Sequence, residues 1–137
     1  MPSGYSGTPL IKKLGIKEAD KVKLINAPEA YFDWLENDIS KQLCRKEELP
    51  DFVHLFAKDN RTFETALQKI LSQIKPTTVI WISWYKKSSK IFTDLNEDMI
   101  RNYALANNLV DIKVCAVNEI WSGLKLVVPV AKRNLFS

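Results

Sequence analysis

The sequence predicts an α/β domain, a three-layer sandwich in which helices cover both faces of a mostly parallel sheet that ends in an antiparallel C-terminal hairpin. Three observations predict it. Strand-length apolar runs alternate with segments of helical periodicity between residues 22 and 108. The runs "DFVHLFA" and "TTVIWISW" are apolar almost throughout, as strands covered on both faces are. Finally, "VDIKVCAV" and "LKLVVPV" are joined only by "NEIWSG", too short for a crossover helix, so they must pair antiparallel.

Each element has its own signal. "GYSGTP" opens with small and turn-forming residues, which predicts an N-terminal arm over residues 1–8 of a single domain spanning 1–137. Thr8 suits a helix cap, Pro9 the first helical position and Gly15 the exit, which predicts a short helix over Pro9 to Leu14. "KVKLINAP" alternates Val22 and Leu24, then turns at Asn26-Ala27-Pro28, and reads as the first strand. Glu29 to Asp38 places Tyr31, Trp34 and Leu35 on one helical face, and a short strand is expected near Ser40 to Arg45.

The clearest helix carries Phe63, Ala66, Leu67, Ile70, Leu71 and Ile74 at helical spacing. Thr62 is its expected cap, and Pro76 bars its continuation. "TTVIWISW" is the central strand, β-branched and aromatic. In "DLNE", Asp94 and Glu97 have the spacing of a capping box, predicting a helix to about Asn108.

Composition bounds the function. The chain has 137 residues, 46% of them hydrophobic and 26% charged, with four Trp, four Tyr and six Phe, a content that argues against disorder. The longest apolar run, "VIWISW", is far too short to span a bilayer, and no leader pattern is present, so a cytoplasmic protein is expected. One histidine and two distant cysteines, Cys44 and Cys115, argue against a disulfide framework or a zinc site. The net charge of +4 permits a phosphorylated or polyanionic partner without demanding one.

From Asp51 onward the element order resembles the second half of class I S-adenosylmethionine-dependent methyltransferases, which have a Rossmann-like fold. In that family a strand and helix precede an "L-K-P-G-G" turn into the next strand, and a hairpin follows one more helix. Here "QIKPTTVIWIS" occupies the turn, with Thr77 and Thr78 in place of the two glycines. Over nearly its whole length the chain also resembles a bacterial family known as domain of unknown function 3052. The stretches that carry it are "GYSGTPLIKKLGIK", "LINAPEAY", "DFVHLF", "WISWYKKSS", "DLNEDMIR" and "LVDIKVCAVNEIWSGLKLV". This second resemblance implies a small cytoplasmic protein and no particular activity.

Ligands of open α/β sheets bind outside the carboxyl ends of the parallel strands. That rule selects four loops, at residues 26–29, 58–60, 85–89 and 118–122. The expected binding residues are Asn26, Glu29, Lys86, Lys87, Ser88, Trp121 and Ser122, with Asn26 facing the lysines across the edge. A helix start near Thr8 adds free N–H groups that suit an anion. The first loop argues against a dinucleotide or S-adenosylmethionine cofactor, because "INAPEAY" has no glycine and Pro28 lacks a donor. No cofactor is therefore expected. His54 and Cys115 lie mid-strand and are expected to be core residues. The leading expectation is a non-catalytic, methyltransferase-like domain binding a small anionic ligand or a protein partner. An atypical S-adenosylmethionine-dependent methyltransferase is the alternative. A nucleic-acid-binding module, stacking bases on Trp84, Tyr85 and Trp121, is weakened by the mild charge and interleaved acids.

Overall fold

A computed structural model describes residues 8–136. The arm expected at the N-terminus lies, except for Thr8, outside the described residues. Helix α1 covers Leu10–Leu14, strand β1 Val22–Ile25, helix α2 Tyr31–Leu35 and strand β2 Phe52–Phe56. Helix α3 (Asn60–Leu71), strand β3 (Val79–Tyr85), helix α4 (Glu97–Ala106) and strands β4 (Val110–Ala116) and β5 (Trp121–Val127) follow. One sheet results, in the order β1-β2-β3-β5-β4.

Strands β1, β2 and β3 pair parallel, as expected. Strand β5 then inserts between β3 and β4, antiparallel to both. Two of the four pairings are therefore antiparallel, so the sheet is mixed rather than mostly parallel. Burial explains the insertion. Strand β5 buries Trp121, Leu124 and Leu126, whereas β4 leaves Ile112 and Val114 about half exposed. The more apolar strand takes the inner place, and the other becomes the edge.

Each sheet face has its own core. Val53, Leu55, Ile80, Ile82, Leu124 and Leu126 meet Phe63, Leu67 and Ile70 of α3 and Ile100 and Ala104 of α4. On the opposite face Phe52, Phe56, Trp81 and Trp121 pack with Leu10 and Leu14 of α1 and Tyr31 and Leu35 of α2. The three layers follow from this segregation. Each fully buried Leu, Ile or Phe contributes on the order of 1.5–3 kcal/mol. Trp81 also joins its face through a polar bond, its Nε1 donating to Leu14 O at 2.8 Å.

Several local expectations are corrected. The strand near Ser40 to Arg45 is a 3₁₀ turn over Ser40–Gln42, followed by one parallel bridge from Leu43 to Val22. Its charged, non-alternating sequence offers no sheet face. Helix α2 stops at Leu35 because Glu36 turns left-handed, at φ 56°. Thr8 does not cap α1, where Pro9 occupies the cap position and Gly15 ends the helix at φ 80°. Asp59, not Thr62, caps α3, accepting from the Thr62 N–H at 2.7 Å. Asn96 caps α4 by accepting from the Met99 N–H at 3.0 Å. Asp94 instead accepts from the Asn60 N–H at 2.8 Å and ties the two helix starts together.

The carboxyl ends of β1 to β4 and the start of β5 share one edge of the sheet. Among the described residues, no helix is long and apolar enough to cross a membrane.

Candidate functional site

At that edge the segment after β3 is tightly braced. The Lys86 N–H donates to Ile120 O at 2.8 Å, holding the strand end against the β4–β5 turn. A 3₁₀ turn over Lys87–Ser89 follows, and Ser89 Oγ donates back to Lys86 O at 2.6 Å. Lys90 turns left-handed at φ 61°. Thr93 Oγ1 then donates to Lys58 O at 2.7 Å and accepts from the Leu95 N–H at 3.1 Å, so the segment rejoins the scaffold before α4.

Beneath this segment lies a groove of about 1040 Å³. Lys86, Lys87, Lys90, Ser88 and Ser122 provide its cations and hydroxyls, while Trp84, Ile91 and Phe92 provide apolar surface. Asp94, Glu97 and Asp98 line the α4 side. The two signs are treated differently. Arg101 binds Glu97, Asp98 at 2.9 Å and Asp111 at 3.0 Å. The hydrogen bonds to Glu97 first, and to Asp111, raise the Arg101 pKa above its ordinary value. Asp94 is engaged by the Asn60 amide. Among the described residues, the ion pairs involve Lys21, Lys75 and Arg101, and none of the three groove lysines.

The seven predicted site residues divide. Lys86, Lys87, Ser88 and Ser122 come together in the groove. Asn26 and Trp121 line a separate pocket of about 430 Å³ with Phe56, Lys58 and Asp59. Glu29 lines a third of about 270 Å³, beside Leu24 and Pro28. Asn26 therefore does not share a pocket with the lysines. Strand β2 separates β1 from β3, putting their ends two strand spacings, roughly 10 Å, apart. Its Nδ2 donates to Phe56 O at 3.3 Å instead.

Trp121 is also not the open surface that a hairpin tip suggests. It begins β5, is 6% exposed, meets Phe56 edge-on and stacks on Tyr85 at 4.4 Å. Asn118 makes the turn, its Oδ1 accepting from the Ile120 and Trp121 N–H groups.

His54 is a core residue, as expected, but it is bonded on both sides. Its Nδ1 lies 2.8 Å from Tyr31 Oη and its Nε2 2.7 Å from Ser83 Oγ. Phe56 stacks on the imidazole at 4.3 Å. Burial pushes the imidazole down to about 3 and the Tyr31 hydroxyl well above its ordinary value. A serine bonded to histidine is the arrangement of an activated nucleophile. Here neither His54 nor Ser83 is exposed and Tyr31 is only 2% so, leaving no route for a substrate. Cys115 is half-buried and burial raises its thiol, which suits packing rather than attack. No cluster of metal-ligating side chains occurs among the described residues.

Sequence reasoning overlooked Phe92 and Arg101. The run "KKSSKIF" contained the signal for Phe92, an aromatic directly after a polar turn. Arg101 carried an i,i+4 signal toward Glu97, but its reach to Asp111 depends on tertiary structure.

No protein-family model matches the chain, and no curated protein sequence matches it. Solved structures do. A protein of the NADB-Rossmann superfamily from Streptococcus agalactiae superposes with a TM-score of 0.55 at 8% identity, over 92% of this chain and 70% of that one. The M1A22 tRNA methyltransferase TrmK of B. subtilis superposes with a TM-score of 0.59 at 9% identity, over 91% and 67%. At these identities the likeness is one of fold. The chain has a Rossmann-like, methyltransferase-like α/β fold.

Proposed function

We propose that the protein is a methyltransferase-like domain that binds a small anionic ligand in the groove beneath residues 86–95, without itself catalysing a reaction. The observation that carries the reading is the imbalance of pairing. Glu97 and Asp98 are engaged by Arg101 and Asp94 by an amide, while Lys86, Lys87 and Lys90 have no ion pair among the described residues. An anion entering the groove meets cations already free to bind it and carboxylates already occupied. Ser88 and Ser122 supply hydroxyl donors. The resemblance to domain-of-unknown-function family 3052 is compatible with this reading and rests on the quoted stretches alone.

Calorimetric titration with pyrophosphate tests it. The Lys86→Ala/Lys87→Ala double variant should keep its fold, since solvated lysines contribute little to stability. It should bind at least about tenfold more weakly, because charge-assisted hydrogen bonds contribute roughly 1.5–3 kcal/mol each. Equal binding by both proteins would contradict the reading.

One observation favours a second reading, methyl transfer from S-adenosylmethionine. Asn26 adopts φ 58°, the left-handed turn that a glycine would make after the first strand. Pro28 and the side chains of "NAPE" still narrow that loop, so we expect no cofactor binding. Hundredfold excess of a cofactor over its Kd stabilises by roughly 2.7 kcal/mol, several degrees in Tm for a domain of this size. A shift of that size with S-adenosylmethionine would establish the second reading. A nucleic-acid reading that stacks bases on Trp84, Tyr85 and Trp121 is disfavoured, because Trp84 and Trp121 are 7% and 6% exposed and Tyr85 already stacks on Trp121.

A further inference from the structure

Phe92 is 91% exposed, and its neighbour Ile91 is 43% exposed. A phenylalanine in water loses the transfer energy that burial would give it, so its position needs a cause. Loose chain is not the cause. The Ile91 N–H donates to Ser89 Oγ at 3.2 Å, and Ser89 is itself bonded to Lys86 O. On the other side Thr93 is bonded to Lys58 O. Short polar clamps on both flanks therefore hold the ring out in solvent, where it lines the same groove as Lys86, Lys87 and Lys90.

Resting on the anion-binding reading above, we infer that the anion is the phosphate of a nucleotide whose base stacks on Phe92. A ring with both faces free is a stacking platform for any base. The groove cations are lysines without an arginine, point charges that suit a phosphate and lack the planar fork that grips a carboxylate bidentately. Ile91, partly exposed beside Phe92, adds apolar wall for the base or sugar. An anionic bilayer fits less well. A flat surface reaching Phe92 would meet Asp94, Glu97 and Asp98 as well as the lysines, whereas a small phosphate can meet the lysines and hydroxyls alone. The same chemistry is offered by a free nucleotide and by one unit of a single strand.

The test compares adenosine 5′-monophosphate, adenosine, inorganic phosphate and hexa-adenylate on the full chain by calorimetry. The nucleotide should bind about tenfold or more tightly than either adenosine or phosphate, the range that base–aromatic stacking supplies. Phe92→Ala should reduce the nucleotide to the level of phosphate while leaving phosphate binding unchanged. Phe92→Tyr, which keeps the ring, should restore it. Hexa-adenylate binding more tightly than the mononucleotide, with a steep salt dependence, would identify a strand as the source. Equal affinity would identify a free nucleotide. If the nucleotide binds no more tightly than phosphate, or Phe92→Ala leaves its affinity unchanged, the ring contact is refuted while the anion site stands. Binding of neither phosphate nor pyrophosphate would refute both. Phe92-dependent binding to phosphatidylserine vesicles with no nucleotide binding would show that the ring serves a membrane instead.

Discussion

His54 Nε2 lies 2.7 Å from Ser83 Oγ, across the β2–β3 pairing, and both side chains are sealed from solvent. With Tyr31 on Nδ1, both ring nitrogens are satisfied, and among the described residues no buried side-chain polar atom lacks a partner. A buried polar group is tolerable only when it is paired in this way. The set orients the α2 side of the core, and its chemistry is spent on structure.

That burial sets a pH dependence. The native imidazole has its pKa lowered to about 3, against an ordinary 6.5 in the unfolded chain. As pH falls below 6.5 the unfolded chain takes up a proton that the native state refuses, so stability that is complete above this pH is lost toward pH 3. The slope approaches roughly 1.4 kcal/mol per pH unit from this group. His54→Gln should flatten the acid limb and lower stability at neutral pH by about 1–3 kcal/mol. Urea unfolding at a series of pH values checks both effects, and superimposable acid limbs would contradict them.

Arg101 acts on the groove without lining it. Replacing it by Gln releases Glu97 and Asp98 beside the lysines, which then compete with any bound anion. Pyrophosphate affinity should fall severalfold, and the loss should shrink as salt is raised. Unchanged affinity would mean that Arg101 does not neutralise these carboxylates within the groove.

Asn26 makes the β1 exit turn at φ 58°. Asn26→Ala should cost about 1–2 kcal/mol, because an L-residue with a plain methyl side chain has no local hydrogen bond to offset left-handed strain. Asn26→Gly should be tolerated. Thermal unfolding of the two variants distinguishes them, and equal midpoints would show that the turn relaxes.

Gly123 lies under the Trp81 ring. A Cβ added there would sit 3.1 Å from Trp81 Cε3 and 3.3 Å from Val117 Cγ2. The Nε1 bond to Leu14 O holds the indole in place, so the ring cannot yield cheaply. Gly123→Ala should destabilise by about 1–3 kcal/mol in denaturant melts. A variant as stable as the parent would show unexpected room between β5 and β3.

What could be read in advance follows physical range. The apolar runs of β2 and β3 and the 3.6-residue stripe of α3 are dictated within their own segments, and they formed where expected. The antiparallel hairpin followed from loop length alone. The insertion of β5 between β3 and β4 depended on which of two strands was more apolar over the whole sheet. The caps shifted because Asp59 and Asn96 compete with Thr62 and Asp94 at nearly equal local odds, and Asp94 had a distant partner in Asn60. Lys86, Lys87, Ser88 and Ser122 could be grouped from the edge rule. Asn26 could not be separated from them until the strand order was known. The glycine argument for the first loop missed that asparagine also enters the left-handed region.

The most direct test of the central claim is an amide-resolved NMR titration with pyrophosphate. Saturable shifts should concentrate on residues 86–95 and Ser122, the groove lined by Lys86, Lys87 and Ser88, and leave Asn26, Ala27 and Thr62 nearly unmoved. Shifts centred on Asn26, Ala27 and Thr62 instead, or no saturable shift anywhere, would contradict it.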